Sequence, residues 1–188
     1  MINYQDALES ISSVREDAIV VTMATAVHVW DVVSKSKELD LPCIGSMGSA
    51  SSMALGLAIA RPDLKVILID TDGSLLMNLG SLVTTAGQSP KNFFHFVMAD
   101  GVYFTTGSQV IPGFKTNRLE KLAKGAGYPI SVEISNKSNL DKQLPLLLEN
   151  EGPVFVSLKV EHPNNLSNFV GSTHSKMRQL SKQIKIFD

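Results

Sequence analysis

A single cysteine, Cys43, stands among 188 residues, which excludes an internal disulfide and a cysteine-rich zinc site. A reducing compartment, the cytoplasm, is the expected location. An excess of charge of either sign is also lacking, with 17 Lys and Arg against 18 Asp and Glu and a net charge of −1. No broad positive field draws the chain to nucleic acid or to an anionic membrane, so a phosphate-bearing ligand has to be held locally. No apolar run approaches the roughly 20 residues that span a bilayer, and the N-terminus, MINYQDALES, has neither the basic start nor the apolar middle of a secretory signal. Aromatics make up only 6% of the chain, and no basic residues interleave with Trp30 or with Phe93, Phe94 and Phe96. These read as core rather than as a stacking platform for bases. Internal repeats and interdomain linkers are missing as well, so one domain over residues 1–188 is expected.

What is present is 44% hydrophobic residues, arranged as short β-branched runs alternating with stretches of helical period. That alternation predicts strand-helix-strand units and an α/β fold, a three-layer α/β/α sandwich around a parallel sheet. Strands are expected at 18–22 (AIVVT), 41–44, 65–70 (KVILID), 93–98 (FFHFVM), 128–134 and 153–160 (PVFVSLKV). Helices are expected at 26–36, 52–60, from about residue 74, at 118–126, 139–149 and 173–185, the last with a solvated basic face of Lys176, Arg178, Lys182 and Lys185. Residues 52–60 (SMALGLAIA) are small and apolar almost all round, which predicts burial against the sheet or across an interface with another chain. The Gly/Thr/Ser/Pro-rich stretch up to Gly113 reads as a long loop of the kind that carries function.

In an open parallel sheet, ligands bind beyond the carboxyl ends of the strands. Three unusual segments fall there: GSMGS after residue 44, TDGS after Asp70, and ADGVY after Met98. Asp72 sits between a strand and a helix start whose free N–H groups suit an anion. A carboxylate beside a phosphate is repulsive unless a cation lies between them, and Mg²⁺ takes one or two carboxylates together with phosphate oxygens. Asp100, at the end of the next strand, supplies the second acid. Taken alone, Asp-Gly-Ser reads first as an ordinary turn with an N-cap.

Taken together, GSMGSASSMALGLAIARPD, TDGSLLMNLGSL and ADGVYFTTGSQ resemble the diphosphate-binding domain of thiamine diphosphate enzymes, over roughly residues 17–160. The resemblance is strongest to the β-subunit-type chains of sulfopyruvate and phosphonopyruvate decarboxylases. It implies bound thiamine diphosphate and Mg²⁺, with Asp72, Asp100 and the Val102 carbonyl as metal ligands. It implies contact with the cofactor from Gly73 and Ser74 at the diphosphate, with Tyr103 and Thr105 nearby and Thr25 from the first strand-end loop. In GSMG it makes Met47 the bulky prop under a bent cofactor and the Gly45 carbonyl the acceptor for its aminopyrimidine, with Ser46 between them. The chain departs from the family pattern at Thr71 (usually Gly), Ala99 and Asp100 (usually Asn or Asp, then Asn) and Ser108 (usually Gly).

The resemblance further implies a glutamate that acts on the aminopyrimidine from a separate pyrimidine-binding domain, for which 188 residues leave no room. A pyrimidine-binding partner subunit and self-association are therefore expected, with a small anionic 2-oxoacid as substrate. The competing readings are an acetolactate synthase-like carboligase subunit and a non-catalytic cofactor-binding subunit that serves assembly. No catalytic residue is assigned with certainty. His28 is a candidate for the substrate end, against an ordinary histidine at a helix N-terminus. His95 reads as core, Cys43 as a small buried apolar residue, and His162 and His174 receive no role.

Overall fold

The computed structural model describes residues 1–163 and 165–185. Six parallel strands form one sheet in the order β2-β1-β3-β4-β8-β7. They are β1 (Ile19–Met23), β2 (Asp40–Cys43), β3 (Val66–Thr71), β4 (Phe93–Ala99), β7 (Ile130–Ile134) and β8 (Val154–Lys159). A separate antiparallel pair, β5 (Val102–Tyr103) and β6 (Gln109–Val110), forms a small hairpin inside the stretch expected to be loop. Strands β1, β3 and β4 are buried at every residue, which is why their sequences are mostly apolar runs instead of alternating, with Thr22, Asp70, Thr71 and His95 as the polar exceptions.

Alternate residues of each strand feed two cores. On one face Val20, Ile67, Ile69, Phe94, Phe96 and Val156 pack under α1 (Tyr4–Val14), α2 (Thr25–Val33) and α7 (Lys137–Glu149). On the other, Ile19, Val21, Leu68 and Phe93 pack under α3 (Ala50–Ala60) and α8 (Thr173–Gln183), while Val97 and Phe155 pack under α4 (Asp72–Met77), α5 (Gly80–Gln88) and α6 (Leu119–Ala126). The sandwich has the expected three layers.

Helix α1 is not among the helices expected from the sequence. Its signals are local: the Asn3 side chain accepts from the backbone N–H of Gln5 and Asp6, and Tyr4, Ala7, Leu8 and Ile11 recur at helical spacing on the buried side. The single helix expected after the strand ending at Asp70 begins earlier, at Asp72, and breaks at Asn78–Leu79 into α4 and α5. Helix α3 is also less enclosed than its composition suggested. Ala50, Ser51, Ala54, Leu55 and Ala58 are buried, but Ile59 is 56% exposed, and Met77 and Val83 beyond it are exposed too.

Two groups of buried polar residues join elements of the fold. Arg15 donates to Asp40 Oδ1 at 2.6 Å, to Ser34 Oγ and to the Ala18 carbonyl, tying α1 to β1 and β2. His95 is fully buried, as expected of a core histidine, with Nε2 3.6 Å from Asp70 Oδ2. No helix among the described residues is long and apolar enough to cross a membrane.

Candidate functional site

The site lies beyond the carboxyl ends of β1, β3 and β4, where the chain reverses direction across the sheet order. Asp72 is the first residue of α4 and is 1% exposed. Its Oδ1 accepts from its neighbour Gly73 N–H at 2.8 Å, and its Oδ2 accepts from Gly101 N–H, also at 2.8 Å. The β3 and β4 loops are therefore joined through one carboxylate. Asp100, on the β4 side, accepts from Val102 N–H at 3.2 Å through Oδ1. Burial first, and then the neighbouring Asp100 carboxylate, push the Asp72 carboxyl up to about 7 against the opposing pull of the two backbone N–H groups.

Two glycines are demanded by close approach. A Cβ on Gly73 would stand 2.7 Å from the Tyr103 ring, and one on Gly101 (φ +85°) would stand 2.1 Å from the Phe114 ring. Thr71, in place of the usual glycine, has φ −118° and so needs no glycine, and its hydroxyl caps Ser74 N–H at 3.3 Å. The first N–H groups of α4, expected to be free for an anion, are thus engaged by Asp72 and Thr71 themselves. Ser74 is fully buried and its Oγ accepts from Gly48 N–H at 3.1 Å, joining the GSMG loop to α4. Ala24, ahead of Thr25, has φ +50°, a strained value for a residue with a side chain.

Seven of the expected residues, Thr25, Met47, Gly73, Asp100, Val102, Tyr103 and Thr105, line one narrow crevice of about 10 Å³. That is room for about one water. Next to it opens a cavity of about 550 Å³ lined by His28, Cys43, Gly45, Met47, Thr105 and Phe169, among others. Met47 and Thr105 border both spaces. Ser46 borders neither. It is exposed, and its carbonyl accepts from the Ser49 hydroxyl. His28 is half-buried, with Nδ1 2.7 Å from the Ser167 carbonyl, while Ser167 Oγ donates back to the His28 carbonyl. Cys43 is buried in the cavity wall and burial raises its thiol pKa.

His162, to which the sequence assigns no role, meets one of the crevice residues. Its Nδ1 lies 2.8 Å from Asp100 Oδ2. Nothing local betrays that contact, because the two residues meet only through the strand order. Among the described residues no three His, Cys, Asp or Glu side chains gather as a metal cluster. Asp72 and Asp100 alone suit a hard cation whose remaining ligands are oxygens of other kinds.

The sequence profile described as thiamine pyrophosphate enzyme, C-terminal TPP binding domain, matches residues 20–158, which include every segment of the crevice. The chain belongs to this family. It is 37% identical over 135 residues to sulfopyruvate decarboxylase subunit beta of Methanocaldococcus jannaschii, covering 71% of each chain. It is 34% identical over 172 residues to the protein of the same name from Methanothermobacter thermautotrophicus, covering 87% of this chain and 85% of that one. Benzoylformate decarboxylase from Polynucleobacter necessarius shares the fold, with a TM-score of 0.71 over 89% of this chain and 34% of that one at 16% identity. As a member of the family, the chain is a TPP-binding domain of α/β architecture.

Proposed function

We propose that this chain is the cofactor-holding, beta-type subunit of a thiamine diphosphate and Mg²⁺ dependent decarboxylase, and that a pyrimidine-binding partner subunit completes its active site. The substrate class is a small anionic 2-oxoacid such as sulfopyruvate or 3-phosphonopyruvate. The carrying observation is the buried pair Asp72 and Asp100 at the ends of adjacent strands, with the Asp72 carboxyl pushed up to about 7 first by burial and then by the field of Asp100. A divalent cation relieves that field and lets a diphosphate approach Asp72. Asp72, Asp100 and the Val102 carbonyl would hold it. The reaction class is supported by two relatives that are themselves named as beta subunits of a decarboxylase.

Bound thiamine diphosphate supplies an electron sink for the pair released as CO₂ departs. The chain's own residues position and enclose. Gly73, kept bare, would face the diphosphate end with Thr25 and Thr105 beside it, while the buried Ser74 Oγ holds the GSMG loop through Gly48 N–H. Met47, between crevice and cavity, is placed to hold apart the two ends of a bent ligand. His28, with Nδ1 held at the Ser167 carbonyl, lines the cavity where a 2-oxoacid would sit. Among the described residues no glutamate lines either space, which supports an acid supplied by the partner. The exposed Ile59, Met77 and Val83 offer apolar surface for such a subunit or for a second copy of this chain.

The test is CO₂ release from sulfopyruvate, phosphonopyruvate and pyruvate by the purified chain with Mg²⁺ and cofactor, with and without the partner. Acid–base assistance alone is typically worth about 10² to 10⁴-fold, so the isolated chain should bind cofactor yet be nearly silent. Full turnover without a partner would overturn the two-subunit reading. A condensation product would indicate a carboligase, and cofactor binding without turnover in the assembled complex would indicate an assembly subunit.

A further inference from the structure

We infer that His162 is a positioning residue for Asp100, holding one carboxylate oxygen by hydrogen bond so that the side chain presents a fixed face to the metal. The inference rests on the metal-site reading above. Strand β8 ends at Lys159, but the chain continues beside β4, since Val160 N–H donates to the Ala99 carbonyl at 3.3 Å and Glu161 N–H donates to the Ile2 carbonyl at 2.8 Å. This carries His162 over the end of β4. There Nδ1 meets Asp100 Oδ2 at 2.8 Å, and the Phe104 ring packs on the imidazole with centroids 4.3 Å apart, fixing its plane.

The Asp100 side chain is only 2% exposed, so each oxygen requires a donor from the protein. Val102 N–H serves Oδ1 and His162 serves Oδ2. The family pattern has asparagine here, which brings its own N–H. A carboxylate brings none, and the imidazole Nδ1–H replaces it. With its proton on Nδ1 the neutral ring leaves a lone pair at Nε2, which is buried without a partner. That tautomer avoids an unmet N–H. Groups that orient a metal ligand in this way typically account for about 10 to 100-fold in metal affinity.

The experiment titrates Mn²⁺ into the full chain in the presence of thiamine diphosphate and follows free Mn²⁺ by electron paramagnetic resonance. His162→Ala should raise the Mn²⁺ Kd by about 10 to 100-fold. His162→Asn, whose amide N–H falls near the place of Nδ1, should restore most of the affinity, whereas His162→Gln, reaching toward the place of Nε2, should not. Adding Asp100→Asn to His162→Ala should also recover binding, because the amide supplies its own donor. An unchanged Kd in His162→Ala would overturn the inference. So would an equal loss in the Ala, Asn and Gln variants matched by equal falls in Tm, since His162 would then only support the fold. Failure of the wild-type chain to take Mn²⁺ with the cofactor is a separate result, and it would overturn the metal site itself.

Discussion

Raising the pH across neutrality without divalent cation should weaken this fold, and one carboxyl is responsible. Asp72 has an ordinary value of 3.8 and is pushed up to about 7 in the folded chain, first by burial and then by Asp100. The folded state therefore holds this proton more tightly than the unfolded chain does. Its contribution favours folding most below the unfolded value and is lost as pH rises from about 4 to about 7. At about 1.4 kcal/mol per pH unit the loss between pH 5 and pH 8 has a ceiling near 3 kcal/mol, and relaxation around the site brings it to about 1 to 3 kcal/mol. For a domain of this size that corresponds to a fall in Tm of about 2 to 12 °C. The assay is scanning calorimetry at pH 5, 6, 7 and 8 in chelator, for the wild type and for Asp72→Asn, which cannot titrate. The variant starts from a different baseline, because its amide opposes the Gly73 or Gly101 N–H, but its profile should be flatter by the stated amount. With Mg²⁺ and thiamine diphosphate the wild type should reverse its trend, because a cation favours the carboxylate and its affinity falls about tenfold per pH unit below 7. Parallel profiles for wild type and Asp72→Asn in chelator would refute the reasoning.

Three further outcomes are expected. Met47→Ala should leave metal-dependent cofactor binding near wild type by calorimetry while turnover of the assembled enzyme falls by one to two decades, about 1 to 3 kcal/mol in the barrier; equal losses in both would make Met47 simply core. Gly73→Ala should destabilise the chain by about 1 to 3 kcal/mol in urea unfolding, because the new methyl meets Tyr103 at 2.7 Å, and adding Tyr103→Ala should recover most of it. Arg15→Ala should cost about 3 to 5 kcal/mol, since it leaves Asp40 buried without its 2.6 Å partner, and an unchanged urea midpoint would contradict that.

The layered architecture was legible because β1, β3, β4 and β8 are short, apolar and β-branched or aromatic, and because the segments between them carry helical period. Strand ends were legible to within one or two residues. Less visible was α1, whose Asn3 cap and Tyr4, Ala7, Leu8, Ile11 spacing lie within an otherwise polar opening. The gathering of Thr25, Met47, Gly73, Asp100 and Thr105 in one crevice followed from placing each loop at a strand end. What the sequence hid was long-range. His162 reaches Asp100 because β8 inserts beside β4, and no spacing rule predicts which strand a late strand will join. Nor does the sequence show Tyr103 lying against Gly73, since that contact comes from a hairpin within an apparent loop.

The insertion of β8 has a kinetic consequence for making the protein. Strand β4 reads FFHFVMA, and its free edge is sealed only when residues 154–159 arrive, after β7 and α7 have been made. Until then a nascent or refolding chain carries an apolar, uncharged strand with unpaired backbone groups, the usual template for intermolecular pairing. Parallel pairing across so long a crossover is slow. Any truncation ahead of Val154 should therefore yield aggregates rather than a smaller soluble domain, and yields of the full chain should rise with conditions that protect slow folders, such as lower growth temperature or added chaperones.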